Sequence, residues 1–139
     1  MKSLFCAVVF CAISVHAEAF VASNGLAVEV LPPKIAGQKA IVELKLKNNL
    51  TNAVELARAI CFLMDEQGKM VGHSTKWVIG YNHTSLEPKA ETSFNFVINS
   101  SQPFTTTNLT AQVSFSRVVL AGDKPANPNK DVIIINQSR

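Results

Sequence analysis

The sequence predicts an all-β, antiparallel sandwich of about seven strands that follows a cleaved signal peptide. Short apolar runs recur along the chain, and several alternate apolar with polar residues, which is the period of a strand half-buried on a sheet. Turn-forming Gly, Pro and Asn residues separate the runs. The first 19 residues have the composition of a secretory signal.

The N-terminal segment is predicted to be removed. Lys2 supplies a positive charge, residues 4–15 form an apolar core, and Ala17 and Ala19 frame an A-x-A cleavage site, so the mature chain is expected to begin at Phe20. A second acceptable site lies two residues earlier. The apolar core is shorter than the roughly 20 residues that span a bilayer. We therefore expect a secreted or periplasmic protein without a membrane span.

The rest of the chain, residues 20–139, has the length of one domain that buries most of its apolar surface. The net charge is +3, and the basic residues are scattered with few aromatic residues between them. Nucleic-acid-binding proteins concentrate their basic residues on one face, so we expect no nucleic-acid partner. The oligomeric state is left open.

Cys61 is the cysteine that remains after cleavage, because Cys6 and Cys11 belong to the signal segment. The mature chain therefore forms no internal disulfide, although it is expected to pass through an oxidising compartment. Cys61 lies among apolar residues, which favours a small core side chain. An intermolecular disulfide or a reactive thiol is the alternative.

The first strand is predicted at residues 26–31, where Pro32 and Pro33 end it. A double proline cannot join a central ladder, so this strand is expected at a sheet edge or to leave the sheet there. The clearest strand is residues 41–47. Its predicted inward residues are Val42, Leu44 and Leu46.

Local signals conflict over residues 53–64. Asn52 and Glu55 suit a helix N-terminus and Gly68 suits a helix end, so propensity favours a helix. The helical apolar stripe is poor, however, because Phe62 would share a face with Glu55. As a strand, the segment places large residues on one face and small ones on the other, and we favour the strand. The large residues are Val54, Leu56, Ile60, Phe62 and Met64, and the small ones are Ala57, Ala59 and Cys61.

The remaining elements follow the same logic. Residues 65–69 are predicted to form a hairpin turn with Gly68 at positive φ, followed by a strand over 70–79 and a polar loop over 80–89. Further strands are predicted as follows: residues 92–98 with Phe94, Phe96 and Ile98 inward, residues 109–115 continuing to 118–120, and a closing strand at 131–136.

Seven strands at this spacing indicate an immunoglobulin or fibronectin type III sandwich. An antibody-type domain is excluded because the pair of inter-sheet cysteines is missing. Residues 20–139 are therefore predicted to form one Ig-like β-sandwich domain.

Three stretches carry a resemblance to a known family. After Leu46, a strand ends in a turn with Asn48 and Asn49, and residues 62–71 read Phe-Leu-Met-Asp-Glu-Gln-Gly-Lys-Met-Val; residues 86–90, Leu-Glu-Pro-Lys-Ala, precede a Phe-Asn-Phe strand. This arrangement resembles the FxLYD kind of bacterial extracytoplasmic Ig-like module. The chain departs from it at Met64, where such modules favour an aromatic residue. The resemblance implies a β-sandwich outside the cytoplasm and no shared catalytic residues.

Soft metal ligands are present, but their spacing predicts no site. Copper outside the cytoplasm takes Cys, Met and His ligands, which here are Cys61, Met64, Met70, His73 and His83. The chain has no CxxC or HxxxH motif, so we predict no metal site and no cofactor, with His73 at the surface. An extracytoplasmic copper-binding or redox protein that uses Cys61 and nearby Met and His remains the alternative function.

No enzyme is predicted. The sequence contains no GxSxG motif that would mark a nucleophile, and the adjacent acids Asp65 and Glu66 belong to a predicted turn. Five N-x-[ST] motifs begin at Asn49, Asn82, Asn99, Asn108 and Asn136. They predict glycans in a eukaryotic host and are turn-rich polar sequence in a bacterial one, which the resemblance favours.

Binding is the function class that remains. The loop after Trp77 carries Tyr81, Asn82 and His83, and these four residues are the candidate binding site for a protein or glycan partner. For Trp77 itself we favour the other interpretation, that it is the core tryptophan of the sandwich. A partner strand could also add at an exposed edge near residues 26–31 or 132–135. We therefore expect a secreted or periplasmic, non-catalytic binding or accessory module.

Overall fold

A computed structural model describes residues 24–82 and 84–137; the predicted signal segment with its cleavage site, and His83, lie outside these ranges. The described residues form nine strands and one helical turn: β1 (Leu26–Val30), β2 (Lys34–Ala36), β3 (Lys39–Asn48), β4 (Val54–Met64), β5 (Met70–Ile79), β6 (Glu91–Asn99), β7 (Thr110–Leu120), β8 (Lys124–Pro125), α1 (Pro128–Asp131) and β9 (Val132–Asn136). The all-β prediction is confirmed, and the seven longer strands match the seven predicted ones. Within these ranges, no helix is long and apolar enough to cross a membrane.

Two sheets pack face to face. In the first sheet, β3 pairs antiparallel with β1 and β2 along one side and with β6 along the other, and β9 pairs with β1. The second sheet has the order β5-β4-β7-β8. Apolar side chains from both sheets fill the space between them, and the largest fully buried ones include Phe96, Leu26, Leu44, Leu63 and Ile79.

The first strand is not at an edge. β1 lies between β3 and β9, and all five of its residues are buried. Its pairing with β9 is parallel, an exception to the antiparallel prediction. Pro32 and Pro33 are tolerated because the chain leaves the sheet there, after the Leu31 N–H donates to the Glu43 carbonyl at 3.0 Å. Strand addition at residues 26–31 is therefore excluded, whereas 132–135 lie in β9, beside β1.

The segment 54–64 is a strand, as favoured from the sequence. Its small residues Ala57, Ala59 and Cys61 face the core together with Leu63, while the larger Ile60, Phe62 and Met64 lie half-buried on the outer face. Val54 was predicted on the face of the large residues, and that placement is wrong, because Val54 is fully buried in the core. Irregular pairing between Val54 and Leu56 and around Arg58 puts the start of the strand out of step with the alternation that runs from Ala57 to Met64. The small side chains give room to the large apolar residues of the opposite sheet.

The predicted hairpin turn at residues 65–69 is confirmed. The Gly68 φ is +76°, and its N–H donates to the Asp65 carbonyl at 3.1 Å. One carboxylate oxygen of Asp65 accepts hydrogen bonds from the N–H groups of Gln67 and Lys69, at 2.9 and 2.8 Å. The acid predicted for turn chemistry therefore organises the turn.

Candidate binding surface

Trp77 lies on the outer face of the second sheet. It pairs across the strands with Arg58 of β4, and both residues point away from the core. Trp77 is half-buried and does not belong to the hydrophobic core. Its interpretation as the core tryptophan of the sandwich is therefore wrong, because the small inward residues of β4 and the two following residues of β5, Val78 and Ile79, supply the buried face instead.

Tyr81 extends this face. Its ring stacks on Trp77 with 5.2 Å between the ring centres and 26° between the planes. The Arg58 guanidinium carbon lies 6.0 Å from the Trp77 ring centre, within the range of a cation–π contact. Tyr81 is 70% exposed. We name Arg58, Trp77 and Tyr81 the aromatic platform.

The backbone that presents Tyr81 has an unusual conformation. Gly80 and Tyr81 have φ values of +85° and +58°. A side chain at position 80 would place its Cβ 2.5 Å from the Glu55 carbonyl oxygen, so only glycine fits there. A left-handed tyrosine costs roughly 1 kcal/mol or more, and such strain concentrates at functional sites.

The platform has a positive edge. Arg58 pairs across the strands with Arg117 of β7, which is exposed on the same face. Within residues 24–82 and 84–137, the ion pair found joins Lys47 and Glu91 on the other sheet, at 3.5 Å. Neither arginine is therefore neutralised by a described carboxylate, and the platform favours an anionic group.

A polar cleft of about 490 Å³ lies between the end of β5 and the start of β6, and its lining includes Val78 and Asn82, which follow Trp77 and Tyr81 in the sequence. Asn82 lines this cleft instead of joining the platform, so the structure splits the predicted site in two. Hydroxyl, amide and carboxylate groups dominate its polar lining, which is Asn82, Thr84, Ser85, Glu87, Glu91, Thr92 and Ser93. These groups can donate hydrogen bonds to a polar ligand or accept them from it.

Asn48 fixes the loop that borders the cleft. This last residue of β3 is fully buried, and its side-chain amide donates to the carbonyls of Asn52 and Leu86, both at 2.9 Å. Its side-chain oxygen accepts from the N–H of Leu50 at 2.9 Å. All three of these side-chain hydrogen bonds thus join Asn48 to backbone groups of two loops.

Cys61 has no place on this surface. Its thiol is fully buried, and burial raises its pKa to about 12. The side chain faces the core, opposite to its strand neighbour Phe62. In the described part of the chain, no three residues among His, Cys, Asp and Glu cluster to hold a metal ion.

Sequence reasoning missed Arg58. The signal was available, since Arg58 continues the spacing of Leu56, Ile60 and Phe62 on the large-residue face of β4. It also missed the acids of the cleft, because Glu87 and Glu91 come together with Asn82 only when β6 packs beside the end of β5.

Comparison with known proteins shows a similarity of fold alone. No protein-family model and no curated protein matches this sequence. A Bordetella pertussis protein assigned as ApaA superposes with a TM-score of 0.53 at 13% identity, over 73% of this chain and 84% of that one. The structural genomics target SoR45 superposes with a TM-score of 0.50 at 14% identity, over 77% of this chain and 82% of that one.

Proposed function

We propose that this chain is a secreted or periplasmic, non-catalytic binding or accessory module with an immunoglobulin or fibronectin type III sandwich, similar to the FxLYD kind. The observation that carries the proposal is the aromatic platform. Its exposed tyrosine stacks on Trp77, which Arg58 also contacts, and the tyrosine has a backbone conformation that costs free energy.

The composition of the platform supports binding of a protein or glycan partner. Trp, Tyr and Arg are the residues most enriched where proteins gain binding energy, because large planar groups contribute contact area with little loss of conformational freedom. The Tyr81 ring is already stacked, so little further ordering opposes association. The paired arginines favour a partner that carries carboxylate or sulfate groups.

The location outside the cytoplasm rests on the N-terminal sequence. A charged start, a short apolar core and an A-x-A site precede residue 20. A buried cysteine as the sole thiol of the mature chain suits an oxidising compartment, since no exposed thiol can form unwanted disulfides. The mass of the protein isolated from its host tests processing, because cleavage at the expected site leaves a chain that begins at Phe20.

Fluorescence tests binding, because Trp77 is the sole tryptophan and its emission reports on the platform. Purified residues 20–139 are titrated with acidic oligosaccharides, neutral oligosaccharides of equal length and an acidic peptide. We expect an acidic ligand to shift the emission. We also expect Tyr81→Asn, which keeps a residue tolerant of left-handed backbone, to weaken that binding at least tenfold.

The matched control is Val97→Thr, which changes an exposed residue on the outer face of the other sheet. This variant should bind as the parent does. Arg58→Gln should weaken the acidic ligands more than the neutral ones. If Tyr81→Asn and Val97→Thr bind every ligand equally well, the platform is not the binding site.

A further inference from the structure

The two methionines beyond Met1 lie directly opposite each other. Met64 ends β4 and Met70 begins β5, and they pair across the confirmed hairpin. The pairing shifts by one residue between Leu63 and Met64, so Met70 stands opposite Met64 where regular pairing would place Val71. A local irregularity thus places the two methionines opposite each other on neighbouring strands.

A histidine lies beside them. His73 pairs with Phe62, and the centres of the His73 and Phe62 rings are 6.4 Å apart. Phe62 is two positions before Met64 in β4 and lies on the same face of the strand. Directly paired residues have Cβ atoms roughly 5 Å apart and diagonal neighbours roughly 7–8 Å, within reach of long side chains. The alternation with buried Cys61 and Leu63 places Met64 and His73 together on the outer face.

These three side chains are accessible and chemically matched. Met70 is 49% exposed, His73 is exposed and Met64 is half-buried. Thioether sulfur and imidazole nitrogen are soft or intermediate ligands that suit Cu(I), whereas Ca²⁺ and Mg²⁺ require oxygen ligands. We propose that Met64, Met70 and His73 form a three-ligand surface site for a soft monovalent metal ion, Cu(I).

The site is independent of the aromatic platform. Met64 and Arg58 stand six positions apart on one strand, roughly 20 Å. It also excludes the buried Cys61 thiol, which a cysteine-based copper protein would use. The sequence spacing hid the site, because the three ligands come from the two arms of a hairpin.

Silver(I) is the probe of choice, since it has the ligand preference of Cu(I) without its redox chemistry. Residues 20–139 are titrated with Ag(I) and followed by native mass spectrometry and by the methionine methyl signals in a ¹H–¹³C spectrum. We expect one metal ion per chain and shifts of both the Met64 and Met70 methyl groups. Cu(I) kept reduced under nitrogen should compete for the same site.

Three variants remove one ligand each: Met64→Leu and Met70→Leu, which conserve volume, and His73→Asn. Each should weaken Ag(I) binding at least tenfold while the near-UV circular dichroism is unchanged. The control Cys61→Ala should bind like the parent, and if it fails to fold, the methyl shifts of the parent decide alone. Unmoved methyl signals at one equivalent of Ag(I), or full binding by Met64→Leu, would overturn the proposal.

Discussion

The side-chain amide of Asn48 donates a 2.9 Å hydrogen bond to the backbone carbonyl of Leu86, 38 positions later in the chain. The backbone of the same residue contributes twice more, since its N–H donates to Ala90 and its carbonyl accepts from Lys89. One buried asparagine thereby ties the end of β3 to the loop beside the polar cleft. The geometry of the cleft depends on this link.

Replacing Asn48 is expected to be costly. Asn48→Ala removes three side-chain hydrogen bonds and leaves the buried groups that they satisfied without those partners. At roughly 1 kcal/mol for each bond, the free energy of unfolding should fall by about 3 kcal/mol. Urea denaturation measures the change. Asn95→Ala, at an exposed position of β6, is the control and should stay within about 0.5 kcal/mol of the parent.

Gly80 is expected to tolerate no side chain. Gly80→Ala combines an unfavourable positive φ with overlap against the Glu55 carbonyl. We expect it to lower the free energy of unfolding by more than about 2 kcal/mol and to alter Trp77 emission, because the chain that carries Tyr81 must move. Gly37→Ala isolates the first effect, since φ is +60° there with no atom within 4 Å, and should cost about 1 kcal/mol. If Gly80→Ala and Gly37→Ala lower the free energy of unfolding equally, the backbone has moved to relieve the overlap between the new Cβ and the Glu55 carbonyl.

The two faces of β4 should differ in how much stability a substitution costs. Ala59 is fully buried, so Ala59→Leu forces extra volume into the core and should cost roughly 1–3 kcal/mol. Ile60 is half-buried on the outer face, and Ile60→Thr keeps a β-branched side chain, so its cost should be under about 1 kcal/mol. Thermal unfolding of both variants checks the orientation of the strand, and the reverse order would contradict it.

Alkaline pH should destabilise the protein through Cys61. Burial raises the thiol pKa from 9.0 to about 12, so the unfolded chain releases its proton first and the folded chain holds it. Below pH 9 this thiol therefore leaves the free energy of unfolding unchanged. Between pH 9 and 12 it should lower the free energy of unfolding by about 1.4 kcal/mol per pH unit. Other groups also titrate there, so the measured quantity is the difference in slope between the parent and Cys61→Ala. Parallel curves would exclude the effect.

Strand positions were predictable because the alternation of Val42, Leu44 and Leu46 is a local property of the sequence. The pairing of each strand with its neighbours in the sheet was not predictable. The prolines after β1 correctly indicated where the chain leaves the sheet, but they could not reveal that β9 covers the side of β1 that was expected to be open. A strand's partners depend on residues about 100 positions away, which no local pattern records.

The candidate site was predictable only in part. The polar loop after Trp77 signalled Tyr81 and Asn82, and the structure stacks one of them on Trp77 and turns the other towards the cleft. Arg58 was missed because it lies in a strand whose outward face was not assigned. Asn48 was visible in principle, since it continues the inward series of β3, where a polar residue needs buried partners.

The parallel pairing of β1 with β9 has a kinetic consequence. β1 pairs with β3 early in the sequence, but its other neighbour is β9, the last strand. The sheet is therefore completed only after nearly the whole chain has been made. Loop closure over such a separation slows folding compared with local hairpins. During synthesis the first sheet therefore lacks its last strand. Truncation before residue 132 should likewise leave β1 as an open edge prone to self-association.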